Sequence, residues 1–197
     1  MKGFGYIEAP LTSIEFSKAC IDLLHMWLRI SDKLEKLLVD KLTLLDYRTA
    51  KKNDDLSDKP NLSKYINFMR YECNFHKPYY ISNKQIEFRQ LSGAEKLKLF
   101  ETIDITKLFP NLQNVEKVDI LWKSFFYIYV SVKNNSYSNM TRVDDIKKNC
   151  EKWVNDFTAI YQTVNVTPYI HEFGQHLWEM VKLHGDIGLF TMQGKKI

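Results

Sequence analysis

The segment from Asp22 to Leu45, with the sequence DLLHMWLRISDKLEKLLVDKLTLL, decides the fold class. Its apolar residues recur three and four positions apart, which is the spacing of one face of an α-helix. The residues of this stripe are Leu24, Trp27, Leu28, Leu34, Leu37, Leu38, Leu42 and Leu45, with Ser31 as the one polar gap. At about 3.6 residues per turn, the stripe covers about six turns. The segment therefore predicts one long helix over residues 21–50.

The chain downstream carries signals for further helices. A helix is predicted over residues 62–73, and residues 92–95 (Ser-Gly-Ala-Glu) form a capping-box pattern that starts another helix, which ends near Ile103. Thr167 and Pro168 start a last helix, and Gly185 ends it. Between them, two longer helices have regular apolar stripes. These stripes are Val118, Leu121, Trp122, Phe125, Tyr129 and Val132, and then Val143, Ile146, Cys150, Trp153, Phe157 and Ile160.

One stretch of sequence is typical of β-structure. The segments Tyr79-Tyr80-Ile81 and Ile86-Glu87-Phe88 lie on either side of Ser82-Asn83, which predicts a short β-hairpin. Residues 1–20 read as a strand-like lead-in. We therefore predict a mainly α protein of about six helices with one hairpin and one N-terminal strand. The predicted single domain, 1–197, has the lead-in, a long helix over 21–50, a helix, hairpin and short helices over 60–110, a three-helix segment over 112–185, and a tail over 186–197.

The composition limits the possible classes of function. The 197 residues include 28 Lys and Arg against 24 Asp and Glu, a net charge of +4, whereas dedicated nucleic-acid binders carry a denser basic face. The three cysteines, Cys20, Cys73 and Cys150, lie far apart, which argues against a zinc knuckle or a disulfide framework. No signal peptide or membrane-spanning run is recognisable, so we expect an intracellular protein without a membrane partner.

The sequence His171-Glu172-Phe173-Gly174-Gln175-His176 differs by one residue from the HExxH signature of zinc proteases. In that signature the two histidines are four residues apart on one helix face and share a zinc ion. Here they are five apart, which on a continuous helix separates them by roughly 140°. We therefore interpret His176 as a partly buried core residue and His171 as a structural hydrogen bonder. A metal-dependent hydrolase using His171, Glu172 and His176 is a minor alternative.

Asp22 and His25 are three residues apart and share a helix face. A carboxylate where a lead-in meets a helix suits a divalent-metal site, but two-metal phosphoryl transfer needs several carboxylates around metals about 4 Å apart. The alternative is that Asp22 is a helix-start residue favoured by the helix dipole. The remaining candidates are interpreted as solvated or capping groups. They are Asp54, Asp55, Asp58, Asp144 and Asp145.

Three segments together resemble a known family. They are the D-x-x-H motif of Asp22 and His25 with its continuation to Asp32, the segment 91–100, and a final segment. The final segment starts as Thr-Pro-x-x-His at residues 167–171 and finishes as Gly-x-x-Gly-x-Phe-x-x-Gln-Gly at residues 185–194. This order resembles the C-terminal part of large DNA transposases of the RNase H-like, DDE type. In that family a helical insertion separates the second catalytic aspartate from the final glutamate.

The resemblance implies that Asp22 corresponds to the second metal ligand, with His25 orienting the aspartate or a substrate phosphate. The intact family uses Mg²⁺ or Mn²⁺. The first aspartate is expected upstream of Met1, and the closing glutamate is expected within a few residues of Gly194, where Lys195-Lys196-Ile197 stand. A lysine repels a divalent metal. We therefore expect a vestigial site and no bound cofactor.

The functional hypothesis is a catalytically incomplete fragment or relic of a DDE-type transposase. It lacks strand-transfer activity, retains binding to DNA, to itself or to a related transposase, and has an intracellular, nuclear location. The alternative is a non-enzymatic helical module that binds another protein. An exposed apolar patch on the helices predicted around residues 118–132 or 143–160 would favour that alternative.

Overall fold

A computed structural model describes residues 22–49, 59–82, 85–134 and 140–190. Helices dominate these residues, and a single antiparallel hairpin accompanies them, so the prediction of a mainly α fold with a short hairpin is confirmed. The predicted N-terminal strand in residues 1–20 and the aspartates at 54, 55 and 58 lie outside the described residues.

The long first helix, α1, spans Leu23–Thr49, close to the predicted 21–50. Its core-facing side buries Leu23, Trp27, Ile30, Leu34 and further apolar residues. The polar gap in the stripe, Ser31, is also buried, and its hydroxyl donates a hydrogen bond to the Trp27 carbonyl at 2.6 Å. The hydroxyl is therefore satisfied within its own helix and does not interrupt the packed face.

The next elements in the chain are shorter than α1 and contribute residues to the same hydrophobic core. Helix α2 (Pro60–Asn67) continues into a π-helical turn (Phe68–Glu72), and the hairpin strands β1 (Tyr79–Ser82) and β2 (Gln85–Phe88) follow. The hairpin pairs Tyr79 with Phe88. Helices α3 (Gly93–Thr102) and α4 (Ile105–Leu108) complete this part, and the predicted capping box of Ser92 and Glu95 is present on α3.

The helix predicted over residues 62–73 is present over residues 60–72, but the α-helix ends at Asn67 and the last turn is π-helical. In the π turn the Cys73 amide donates to the Phe68 carbonyl at 3.1 Å, five residues back. Residues five apart diverge on an α-helix, whereas the wider turn brings them to the same side. Phe68 and Cys73 are accordingly both buried.

The last part of the chain contains four α-helices. They are α5 (Val115–Lys133), α6 (Met140–Tyr161), α7 (Pro168–Gln175) and α8 (Leu177–His184), with 3₁₀ turns at Thr163–Asn165 and Ile187–Phe190. The Thr167 hydroxyl caps α7, as predicted, by accepting from the Ile170 amide at 3.3 Å. Gly185, with φ of 68°, follows the last helix. The buried side chain of Ile187 extends the packing into the predicted tail.

One hydrophobic core joins the long helices, and aromatic rings form its centre. Trp27 of α1 stacks on Tyr129 of α5 with ring centroids 4.2 Å apart, and it meets Phe100 of α3 edge to face at 5.0 Å. Trp153 of α6 packs edge to face on Phe173 of α7 at 5.0 Å. Offset and edge-to-face contacts are the favoured aromatic geometries, so these rings position the helices relative to each other.

Cys73 and Cys150 are free thiols buried in the core. None of the helices in the described ranges has the length and hydropathy required to cross a membrane.

Candidate functional site

Asp22 lies immediately before α1 and caps it. Its Oδ1 atom accepts hydrogen bonds from the amides of Leu24 at 2.9 Å and His25 at 3.1 Å. These are amides of the first helical turn, which have no partner within the helix. The carboxylate therefore does the work of an N-cap.

The other carboxylate oxygen of Asp22 contacts the histidine of the motif. Oδ2 lies 2.6 Å from Nδ1 of His25, whose side chain is 53% exposed. Burial disfavours the charged form of Asp22, but the hydrogen bonds from the His25 ring and from the two amides outweigh it. The pKa of Asp22 is consequently lowered from its ordinary value. Asp22 and His25 are in contact on one helix face, as predicted. Both carboxylate oxygens of Asp22 therefore contact groups at the start of α1.

The other carboxylates proposed as partners do not complete a metal site in the described part of the chain. Asp144 and Asp145 are exposed on α6. Over residues 22–49, 59–82, 85–134 and 140–190, no group of three His, Cys, Asp or Glu side chains could hold a metal ion. Asp22 is therefore accounted for by the capping geometry.

His171 and His176 are closer together than their spacing predicts. Their ring centroids lie 5.5 Å apart in an edge-to-face arrangement. The expectation of a wide angular separation is wrong because it assumed one continuous helix, whereas α7 ends at Gln175 and α8 begins at Leu177. The Nδ1 atom of His176 lies 2.8 Å from Glu179 Oε2 at the start of α8. The described residues supply no third ligand beside the two rings.

Gly174 permits the close approach of α7 to α6. A Cβ atom at this position would lie 2.6 Å from Cγ2 of Val154 on α6. Only a residue without a side chain permits this approach, which lets Phe173 pack against the buried ring of Trp153. The isolated glycine is therefore a packing requirement of the α6–α7 contact.

A cleft of about 530 Å³ lies between α1 and the β2 strand. Its walls combine charged groups with the half-buried apolar side chains Val39, Ile86 and Phe88. The charged and polar lining residues are Asp32, Glu35, Lys36, Glu87, Arg89 and Gln90. Sequence reasoning did not identify this site.

Two ion pairs border this cleft. Lys96 of α3 is fully buried, and its ammonium pairs with Asp32 and lies 3.5 Å from the Leu28 carbonyl. Arg89 pairs with Glu95, and this bond holds the pKa of Glu95 at about 2. Arg89 also donates to the carbonyls of three neighbouring residues. Both cations are therefore held by protein acceptors.

Glu35 is the one buried carboxyl of the cleft, with 8% of its surface exposed. Its Oε1 atom accepts a hydrogen bond at 3.3 Å from the hydroxyl of Tyr65, which is fully buried on α2. Burial raises the pKa of Glu35 to about 7, against the opposing effects of Lys96 and the Tyr65 hydroxyl. Its position next to buried apolar residues of α1 was visible in the sequence, but its partners come from distant segments.

Comparison of the chain with models of protein families, with curated proteins and with solved structures finds no match. Over residues 22–49, 59–82, 85–134 and 140–190, the fold is that of a mainly α-helical protein with one hairpin and one continuous core.

Proposed function

We propose that this chain is a binding module of DDE-transposase ancestry that does not itself cleave or join DNA. The observation that supports the proposal is the use of the Asp22 carboxylate. One oxygen caps two amides of α1 and the other contacts His25. A divalent ion on this carboxylate would compete with the start of the helix.

The chemistry of phosphoryl transfer supports the same conclusion. Two-metal catalysis requires converging carboxylates that can hold two ions about 4 Å apart. The neighbours of the Asp22 carboxylate are a histidine and two backbone amides. Hydrogen bonds from these groups lower the pKa of Asp22. An arrangement of donors stabilises the carboxylate without a metal. Asp22 is thus suited to a structural role as a helix cap. A residue that was once catalytic could keep this role after the loss of catalysis.

A cleavage assay tests the catalytic part of the proposal. The chain and its Asp22→Asn variant are incubated with supercoiled plasmid in Mg²⁺ and in Mn²⁺. We expect both proteins to leave the plasmid intact at rates equal to the buffer control. Metal-dependent nicking that the Asp22→Asn substitution abolishes would overturn the proposal.

A binding assay tests the retained function. Fluorescence anisotropy with a labelled duplex is measured at low and at physiological salt. Phosphate contacts release counterions, so DNA binding should weaken steeply as salt rises. The Asp22→Asn variant should bind as the parent does, because the proposal assigns Asp22 no contact with DNA. A lack of any DNA affinity at low salt would remove DNA as the partner.

A second candidate, a protein-binding module, is favoured by one surface feature. Ile120 and Tyr127 are 57% and 68% exposed on α5, and their spacing of seven residues places them on one helix face. In the described part of α6 from Val143 to Tyr161, no large apolar side chain is comparably exposed. If this face mediates self-association, Ile120→Lys with Tyr127→Lys should lower the sedimentation-average mass at high concentration. An unchanged mass would exclude this face as a self-association surface.

A further inference from the structure

We propose that the cleft between α1 and β2 binds a primary alkylammonium group, with Glu35 as the counter-ion and the apolar wall of the cleft as the site for the alkyl stem. This inference is independent of DNA or transposase binding. Its failure would leave the proposed function unaffected.

Glu35 uses only part of its hydrogen-bonding capacity within the protein. The side chain is more than nine-tenths buried and lines the cleft. Oε1 accepts from Tyr65 at 3.3 Å, and Oε2 has no partner among the residues that the structure describes. An ionised carboxylate offers several acceptor positions and no donor, so an ammonium group in the cleft can donate to the positions that Tyr65 leaves unused.

The charged side chains that line the cleft are not balanced. Asp32 is matched by Lys96, and Glu95 is matched by Arg89. The remaining lining charges are Glu35, Glu87 and Lys36, which leaves an excess of one negative charge in this cluster. Glu87 is exposed and accepts from the Tyr80 hydroxyl at 2.8 Å. The cluster thus has one negative charge more than it has cations, and an added cation would pair most strongly with the buried group, Glu35.

The two cations held in ion pairs near the cleft are poorly placed to bind an anionic ligand. Arg89 donates through Nε to the carbonyls of His76 and Lys77, and through its terminal nitrogens to Gln90 and Glu95. The ammonium of Lys96 pairs with Asp32 inside the protein. Internal acceptors thus occupy the cations of Arg89 and Lys96. Among the lining cations, only the exposed Lys36 has no pairing with a residue that the structure describes.

The chemistry of the cleft also selects an organic cation over a metal ion. Hard divalent cations take six or more oxygen ligands. No set of three potential ligand side chains within the described ranges could hold a metal. Val39, Ile86 and Phe88 instead provide apolar surface beside the carboxylate. An ammonium head on a short alkyl chain matches this combination, whether it comes from a free amine or from a lysine side chain.

The test is a ¹⁵N-HSQC titration of the full chain with two probes, n-butylammonium chloride and a capped Gly-Lys-Gly peptide. The matched control ligand is n-butanol, which has the alkyl chain without the charge. We expect saturable shifts at the amides of Val39, Ile86 and Phe88 with an ammonium probe at about pH 8.5, and much smaller shifts with n-butanol. Saturation by the free amine identifies a small-molecule site, and saturation by the peptide alone identifies a lysine side chain as the ligand.

Two variants distinguish Glu35 from general charge. Glu35→Gln should weaken binding about tenfold or more, because a hydrogen bond to a charged group is lost. Asp40→Asn removes an exposed carboxylate of α1 that does not line the cleft and should change affinity less than about twofold. The native fold of each variant is read from the same spectra. Absence of saturable binding by both ammonium probes, equal binding by n-butanol, or full affinity in Glu35→Gln would overturn the proposal.

The pH dependence of binding is a further check. The pKa of Glu35 is raised to about 7, so the carboxyl is largely ionised above that value and neutral below it, whereas an alkylammonium stays charged over the whole range. Affinity should fall about tenfold between about pH 8.5 and about pH 5.5. The charged and titratable groups facing Glu35 or lining its cleft are Asp32, Lys36, Tyr65, Glu87, Arg89 and Lys96. If the Glu35→Gln variant loses this pH dependence of affinity, the dependence is due to Glu35. If the variant retains it, the assignment to Glu35 is contradicted.

Discussion

The fully buried ammonium of Lys96 on α3 pairs with the carboxylate of Asp32 on α1, across 64 residues of sequence. A buried lysine requires a partner, since an unpaired charge in a protein interior is strongly unfavourable. Asp32 is about one-third exposed, so the pair lies at the edge of the core where α1 and α3 meet. It also neutralises one of the carboxylates next to Glu35.

Removal of one partner should therefore cost more than removal of both. We expect Asp32→Asn to lower the free energy of unfolding by about 2 kcal/mol or more, because Lys96 is left buried without its counter-ion. The double variant Asp32→Asn with Lys96→Met should recover a substantial part of this loss. Urea denaturation of the parent, the single variants Asp32→Asn and Lys96→Met, and the double variant measures the coupling. An Asp32→Asn variant within about 0.5 kcal/mol of the parent would contradict the importance of the pair.

The capping role of Asp22 predicts a specific pair of stability effects. Asp22→Ala should lower the free energy of unfolding by about 1 kcal/mol, the usual cost of losing an N-cap. Asp22→Asn should retain most of the stability, since an asparagine oxygen also accepts from the first-turn amides. Chemical denaturation with and without Mg²⁺ provides the measurement. A metal-dependent rise in the stability of the parent that Asp22→Asn removes would instead indicate a metal ligand.

Glu35 should make the stability depend on pH in the direction opposite to a salt-bridged carboxylate. Burial raises its pKa to about 7 in the folded protein, above the value of 4.5 taken for the unfolded chain. Between these values the folded state binds more protons, so stability falls as pH rises and is lower by on the order of 3 kcal/mol above about pH 7. Denaturation series from about pH 4.5 to about pH 8 test this.

Glu35→Gln is the control for that pH series, because it keeps the shape of the side chain without an ionisable group. We expect a flatter profile over the same range and a stability above that of the parent at about pH 8. A parent profile that rises with pH through 7 would contradict the burial of Glu35.

The close approach of α7 to α6 predicts that Gly174 does not tolerate a methyl group. In Gly174→Ala the new Cβ would meet Val154 Cγ2 at 2.6 Å, so one helix must shift. Overpacking of this kind costs typically about 1–3 kcal/mol. Thermal unfolding measures the loss, and Gly174→Ala combined with Val154→Ala should restore part of it. Equal stability of Gly174→Ala and the parent would show that the approach is looser than the structure indicates.

Local signals in the sequence predicted a large part of the fold. Helical stripes located α1, α5 and α6, and the predicted helix starts at Ser92 and Thr167 are present with their hydrogen bonds. These features depend on residues within a few positions of each other. The π turn at Phe68–Glu72 and the break at His176 depend on packing against other elements, and the periodicity of apolar residues does not reveal such packing.

The candidate sites also contain features that the sequence predicts and features that it does not predict. The alternative in which Asp22 starts a helix could be stated from the sequence, because a cap bonds to amides two and three residues ahead. The resemblance to DDE transposases stays a prediction. The pairing of Lys96 with Asp32 and of Tyr65 with Glu35 could not be predicted, since each joins residues at least 30 positions apart.

The sequence by itself determined that this protein is mainly helical, where most of its helices begin, and that a short hairpin interrupts them. These properties follow from side-chain periodicity and from hydrogen bonds within one turn. Only the tertiary structure decided which polar residues became buried together and that a cleft forms beside Glu35. The burial of a charged group depends on the distant segments that cover it, and therefore on the packing of the whole chain.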